Sequence, residues 1–323
     1  MWQYVVRRVG ISIIILFGIS AILYTIIYMM PGDYVSSMVA GSRNVTPEMV
    51  ARLRRIYGLD VGLAEGYVRW LGQALRGNFG DSFYYLVPVT DVLKERMFNS
   101  FTLMLPAFVL ELSIGVAFGI VSATKQYSRF DNAVTAFAFL GLSVPSFFLA
   151  TVLKRVFAFG LKALPPSYMI NPDAVGIDLF FNKASNYILP VACLTLLNVG
   201  MWMRYARTNM LDVLNSDYIR TARAKGLPER KVIYSHAFRN TLVPFVTLVG
   251  GTLPQLFGGA MITENLFEFP GIGCTGYKAL QLGDVPLIMA VNVALAALTL
   301  ASTLLADLSY ALVDPRVRIG GSK

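Results

Sequence analysis

"VGISIIILFGISAILYTIIYMM", residues 9–30, runs without a single charged side chain. Coiled as a helix at ~1.5 Å per residue, it is long enough to cross the ~30 Å hydrocarbon core of a bilayer. Arg7 and Arg8 precede it, as basic residues precede a secretory signal. The run is too long for a signal, however, and the following "YMMPGDYV" offers no small-residue cleavage site. It reads as a retained spanning helix.

Working outward, five more apolar runs recur at 101–123, 133–153, 187–203, 241–262 and 286–306, the fourth being the shortest. Hydrophobic residues make up 55% of the chain and charged ones 15%, more apolar surface than a soluble core of this length needs. The runs are continuous rather than alternating, which excludes a barrel, because lipid leaves a backbone only helices or a closed barrel. The expected fold is all-α: a polytopic bundle of six transmembrane helices with an external helical insertion after the first. Residues 1–30 form the N-terminal end and first span, and 31–100 the insertion. Residues 101–313 form a five-helix core containing a cytoplasmic loop at 204–240, and 314–323 a cytoplasmic tail.

Basic residues set the orientation. With both termini inside, the short cytoplasmic segments hold fifteen Lys and Arg and the short external loops five. The net charge of +9 thus reports membrane sidedness and calls for no nucleic acid. In the insertion, "TPEMVARLRRIYG" predicts a helix capped by Thr46, with Pro47 at its first position and Gly58 just past its end. A second amphipathic stretch, "AEGYVRWLGQALRG", follows, then the turn-rich "NFGDS". A packed cap over the outer mouth is the expected arrangement, compatible with docking an external partner.

Catalytic patterns are missing. No GxxxxGK[ST] and no GxSxG occurs, and one histidine with two scattered cysteines, Cys193 and Cys274, makes neither a metal site nor a disulfide framework. Uphill transport would therefore draw its energy from another chain or from an ion gradient. Glu111 is the only carboxylate clearly deep in a span.

The stretch "SDYIRTARAKGLPERKVIYSHAFRN", residues 216–240, gathers six basic residues and the histidine between two apolar runs. It divides into a short helix capped by Ser216 or Asp217 and ended at Gly226, and a second beginning near Pro228. Spacing puts Tyr218, Ala222 and Lys225 on one stripe and Ile219, Ala222 and Gly226 on the next. Small residues between apolar anchors suit insertion into a groove of another protein. His236 reads as a structural hydrogen-bonding residue rather than a pH sensor.

"YIRTARAKGLPERKVIYSHAFRNTLVP" resembles the cytoplasmic signature loop of ATP-binding-cassette importer permeases, in the form of the dipeptide, oligopeptide and nickel branch. Further matches follow in order: "ARLRRIYGLD", "YVRWLGQALRGNFGDS", "GLSVPSFF", "LPPS", "ENLFEFPGIG" and "DLSYALVDPRVR". The wider superfamily has an acidic residue where Arg220 stands and a shorter gap than Gly226 to Pro244; the peptide branch resembles this chain at both points. Glu111, Lys154 and Arg155 depart from a family that is mostly apolar there.

The resemblance implies a permease subunit for peptides without catalytic or metal-binding residues, in a bacterial or archaeal inner membrane. It would pair with a second homologous permease, with two cytoplasmic ATPases that bind ATP and Mg, and with an external substrate-binding protein. The ATPases would grip a coupling helix comprising Asp217, Tyr218, Ile219, Thr221, Ala222, Ala224, Lys225 and Gly226, with Ala222 permitting close approach. Nickel chelates, glutathione or oligosaccharides are the alternative cargoes, and an ion-coupled secondary transporter or a membrane enzyme the rival classes. Glu111 either lines the translocation path or bonds two helices. Ser143 and Pro145 interrupt the third span, as a kink or as part of that path. "ENLFEFPGIG" is expected as a turn at the outer gate through Phe269, Pro270 and Gly271, or else as a surface anchor.

Overall fold

The computed structural model describes residues 2–39 and 46–313, and every extended regular element among them is helical. α1 (Trp2–Met29) is followed by three short helices, α2 (Tyr34–Val39), α3 (Pro47–Ile56) and α4 (Leu63–Ala74). Then come α5 (Val89–Thr124), α6 (Arg129–Ser143), α7 (Ser146–Leu153), α8 (Gly176–Leu214), α9 (Asp217–Ala224) and α10 (Glu229–Lys231). α11 (Arg239–Gly258), α12 (Met261–Leu266), α13 (Ile272–Leu282) and α14 (Val285–Val313) complete the order. Two stretches, Lys154–Gly160 and Val232–Phe238, are wound as π-helix. The expected tail, 314–323, lies outside the described residues.

Among the described residues, Val6–Val39, Val89–Thr124, Gly176–Leu214 and Val285–Leu304 are long and apolar enough to cross a bilayer. The third expected span is not one straight helix: Arg129–Ser143 and Ser146–Gly160 meet at 106°. Pro145 lacks an N–H and crowds its predecessor out of the helical region, and Val144 is extended at φ −79°, ψ 125°. The fifth, 241–262, divides into α11 and the separate α12; α11, with 20 residues, packs on α14 and α5. The fourth, expected to be the shortest, lies within α8, the longest helix at 39 residues. Its polar ends hid that length, since backbone bonding does not stop where hydropathy falls.

α5 and α8 form the most extensive helix pair. Gly115 and Gly119 lie four apart on α5, so that one face lets the backbones approach. A Cβ on Gly115 would sit 2.6 Å from the Cβ of Trp202 and 2.9 Å from the carbonyl of Val199. Inside the stretch expected as the insertion, α5 already starts at Val89. Its α3 begins as expected, with Thr46 Oγ1 accepting the Met49 N–H at 3.3 Å behind Pro47. Tyr34 donates to the Phe83 carbonyl at 2.7 Å, and Ser82 donates to the buried carboxylate of Asp284 at 2.6 Å. Asp284 also accepts from Leu287 N at the start of α14, which ties the insertion to that helix.

Candidate functional site

At one end of the bundle, α9 leaves the end of α8 and stops sharply. Gly226, at φ +74°, takes the left-handed conformation that a side chain would resist. The Gly226 N–H bonds the Arg223 carbonyl at 2.9 Å and the Leu227 N–H the Ala222 carbonyl at 3.4 Å, the paired bonds of a Schellman ending. Arg223 then donates to Glu229 at 2.7 Å, fastening α9 to α10. That hydrogen-bonded guanidinium lowers the Glu229 carboxyl below its ordinary value.

Ile219 and Ala222 point into the protein, at 0% and 7% exposure. They join Ile120 and Ala123 of α5, Met210 of α8, and Val232 and Ala237 in one apolar cluster. The close approach that the small Ala222 permits is thus to its own bundle. Asp217, Tyr218, Arg220, Thr221, Ala224, Lys225 and Gly226 remain exposed. His236 is partly buried, and its carbonyl accepts from Asn240 at 2.6 Å.

Just beside this loop, Arg207 of α8 grips Asp131 of α6 with two bonds, 2.9 and 3.0 Å long. Ser122 of α5 donates to the same carboxylate, which is 2% exposed. Three helices are pinned where α9 rests on two of them. Sequence reasoning missed this clamp: Asp131 and Arg207 are far apart in the chain and looked like ordinary loop charges.

At the opposite end, "ENLFEFPGIG" folds around Glu264, a residue the sequence reading passed over. Its carboxylate, at 0% exposure, accepts from Ser100 Oγ at 2.7 Å, Cys274 N at 2.9 Å and Ala260 N at 3.2 Å. Gly273 N is a further donor. Ser100 Oγ in turn accepts the Ile272 N–H at 2.8 Å, so a carboxylate and a hydroxyl together cap α13. Burial pushes the Glu264 carboxyl above its ordinary value, against the pull of its donors. A Cβ on Gly271 would lie 2.5 Å from that carboxylate and from Ser100 Oγ, which is why this position is glycine.

Phe269 is buried edge-on between Tyr168 and Tyr187, and the Pro270 carbonyl accepts from Asn99 at 2.9 Å. Phe269, Pro270 and Gly271, the residues expected at the outer gate, pack against this Glu264 latch. Lys154 donates to the Leu266 carbonyl at 2.7 Å, at the end of α12. Glu111, 8% exposed, accepts from the Trp202 indole at 3.1 Å between α5 and α8, with Asn198 a second partner. That bond joins α5 to α8. Ser143 bonds its own helix at the Phe139 carbonyl, 2.8 Å away, and Pro145 is the exposed cap of α7 at the bend.

A family described as binding-protein-dependent transport system inner membrane component matches residues 115–319. Its N-terminal companion, described as the membrane component's N-terminal part, matches residues 1–104. The chain belongs to this family. It is a multi-pass inner-membrane component of a transport system, not an enzyme, and that system depends on a separate binding protein. The chain is 35% identical to the oligopeptide transport system permease protein AppB of Bacillus subtilis (strain 168), over 98% of this chain and 99% of that one. It is 33% identical to the dipeptide transport system permease protein DppB of Lactococcus lactis subsp. cremoris (strain MG1363), over 99% and 100%. With DppB of Escherichia coli (strain K12) the identity is 32%, over 98% and 99%. The loop bearing α9 and Glu264 itself fall inside the residues matched by the larger family, and Ser100 inside those matched by its companion.

Proposed function

We propose that this chain is the peptide-importing permease its relatives' names suggest: one of two homologous membrane subunits sharing a translocation path, driven by two ATPases and supplied by an external binding protein. ATP and Mg are bound by the ATPases. Both termini and the loop 204–240 face them in the cytoplasm, consistent with the basic bias of those segments.

One observation carries the coupling role. α9 spends its apolar face on α5 and α8 and leaves Tyr218, Arg220, Thr221, Ala224 and Lys225 exposed. A partner gripping the free face moves α9 as a rigid lever, and the buried face passes that motion to the inner ends of α5 and α8. The Arg207–Asp131–Ser122 clamp extends it to α6.

The test is reconstitution with ATPases, partner permease and binding protein, followed by ATP-dependent uptake of labelled peptides into vesicles. Replacing the exposed Thr221 with Trp should leave thermal stability unchanged, since surface substitutions usually shift it by about 0.5 kcal/mol or less, while uptake per ATP hydrolysed collapses. Full coupling in Thr221→Trp refutes the role of this face. Uphill uptake by the chain alone refutes the larger reading.

A further inference from the structure

α5 and α11 are joined at one end and parted at the other. Toward the insertion, Phe101 stacks on Phe257 with ring centroids 4.9 Å apart. Nearer the α9 end, Phe245 of α11 stacks on Trp202 of α8 at 6.3 Å. Along the half of both helices nearer α9 lies an open groove of about 580 Å³, lined by Leu112, Val116, Ile120, Phe238, Leu242 and Val249. Tyr234 stands at its mouth and also borders a shallow cavity of about 540 Å³ formed by Pro228, Arg230, Lys231 and Ser235. Arg220 and Arg223 have carboxylate partners, but among the described residues neither Arg230 nor Lys231 forms an ion pair.

Length and charge decide the occupant. From Leu112 to Val121 the groove follows α5 for about 14 Å at ~1.5 Å per residue, close to half of the ~30 Å hydrocarbon thickness. A spanning helix of a partner would need a groove through both leaflets, and the Phe101–Phe257 stack closes this one. An occupant one leaflet long, apolar along its body and anionic at its head, fits both parts. We propose that the α5–α11 groove and the Arg230/Lys231 shelf at its mouth bind an anionic phospholipid, with an acyl chain in the groove and the phosphate on the two cations. The Tyr234 ring sits at the boundary between them, where amphipathic aromatics favour the membrane interface. The site rests on the membrane reading above and is independent of coupling through α9.

The full-length chain, purified in detergent, is titrated with phosphatidylglycerol or phosphatidylcholine of identical acyl chains, and with inorganic phosphate, and read by native mass spectrometry. Retention of phosphatidylglycerol should exceed that of phosphatidylcholine about thirtyfold, the scale of two interfacial cations. Arg230→Gln with Lys231→Gln should erase the preference, whereas Ala117→Trp, which fills the groove, should lower retention of both lipids. Both cations are exposed, so the double variant should keep its unfolding temperature. Equal retention by the wild type, a preference that survives the double variant, or equal capture of free phosphate overturns the proposal. So does a photo-crosslinker at Leu242 that captures a second permease rather than lipid in the assembled transporter. Transport measured on the same variants reconstituted with ATPases, partner permease and binding protein separates the two ideas: intact uptake with no lipid preference sinks this site alone.

Discussion

The Glu264 latch and the α9 loop occupy opposite ends of the bundle and are held by opposite means. Around Glu264, directional bonds converge from α5, the α11–α12 turn and the start of α13, and nearly every polar group is used up inside the chain. Around α9 the grip is an apolar cluster and one ion pair between half-exposed side chains, with the polar face of the helix left over. Satisfied polar groups have nothing to offer a partner; unspent ones do. The contrast sets a filled cage at the Phe269–Gly271 region against an exposed polar face on α9, although sequence patterns alone gave both the look of functional motifs.

The largest loss of stability is expected at Glu264. Glu264→Ala strands buried donors on Ser100, Ala260, Gly273 and Cys274, and should cost about 3–5 kcal/mol, as does removal of one member of other buried charge networks. Thermal unfolding in detergent measures it; a loss below 1 kcal/mol would mean the cage is not holding that end. Ile219→Ala, at 0% exposure, should cost about 2–4 kcal/mol by emptying the apolar cluster, and should leave the Phe267–Phe269 region protected in hydrogen exchange. Loss of protection at both ends would show the two regions to be one cooperative unit.

A smaller effect sharpens the picture. Gly271→Ala should cost about 1–3 kcal/mol by overpacking, with partial rescue by Ser100→Gly, because Ser100 Oγ is one of the atoms the new methyl meets. Smallest is Arg223→Ala, worth a few tenths of a kcal/mol because the pair with Glu229 is half-exposed and screened by solvent. Its pH dependence has a definite sign. The Glu229 carboxyl is lowered in the folded protein, so the pair's contribution is present at neutral pH and fades as pH falls through the folded value, below the ordinary carboxylate range. An unfolding temperature of Arg223→Ala that converges on the wild type at low pH checks it.

Much of the fold was legible because lipid imposes a long apolar run on any helix that crosses it, and because caps are local. Thr46, Pro47, Gly58 and Gly226 stand where short-range rules put them. The boundaries misread were those at which hydropathy and helicity part company: α8 continues past its apolar window at both ends, and α5 starts at Val89, ahead of its own. At Pro145 the sequence showed an interruption but not a 106° corner, since the angle depends on what the two arms pack against.

By itself, then, the sequence determined the membrane class, the all-helical make-up, the position of the loop at 216–240 and the resemblance that names its family. Tertiary structure alone decided which charges are spent. Glu111 and Trp202, Asp131 and Arg207, Glu264 and Ser100 are pairs separated by long stretches of chain. Nothing local in a carboxylate distinguishes one that will be caged from one that will meet a partner; that depends on which donors the fold brings within about 3 Å of it.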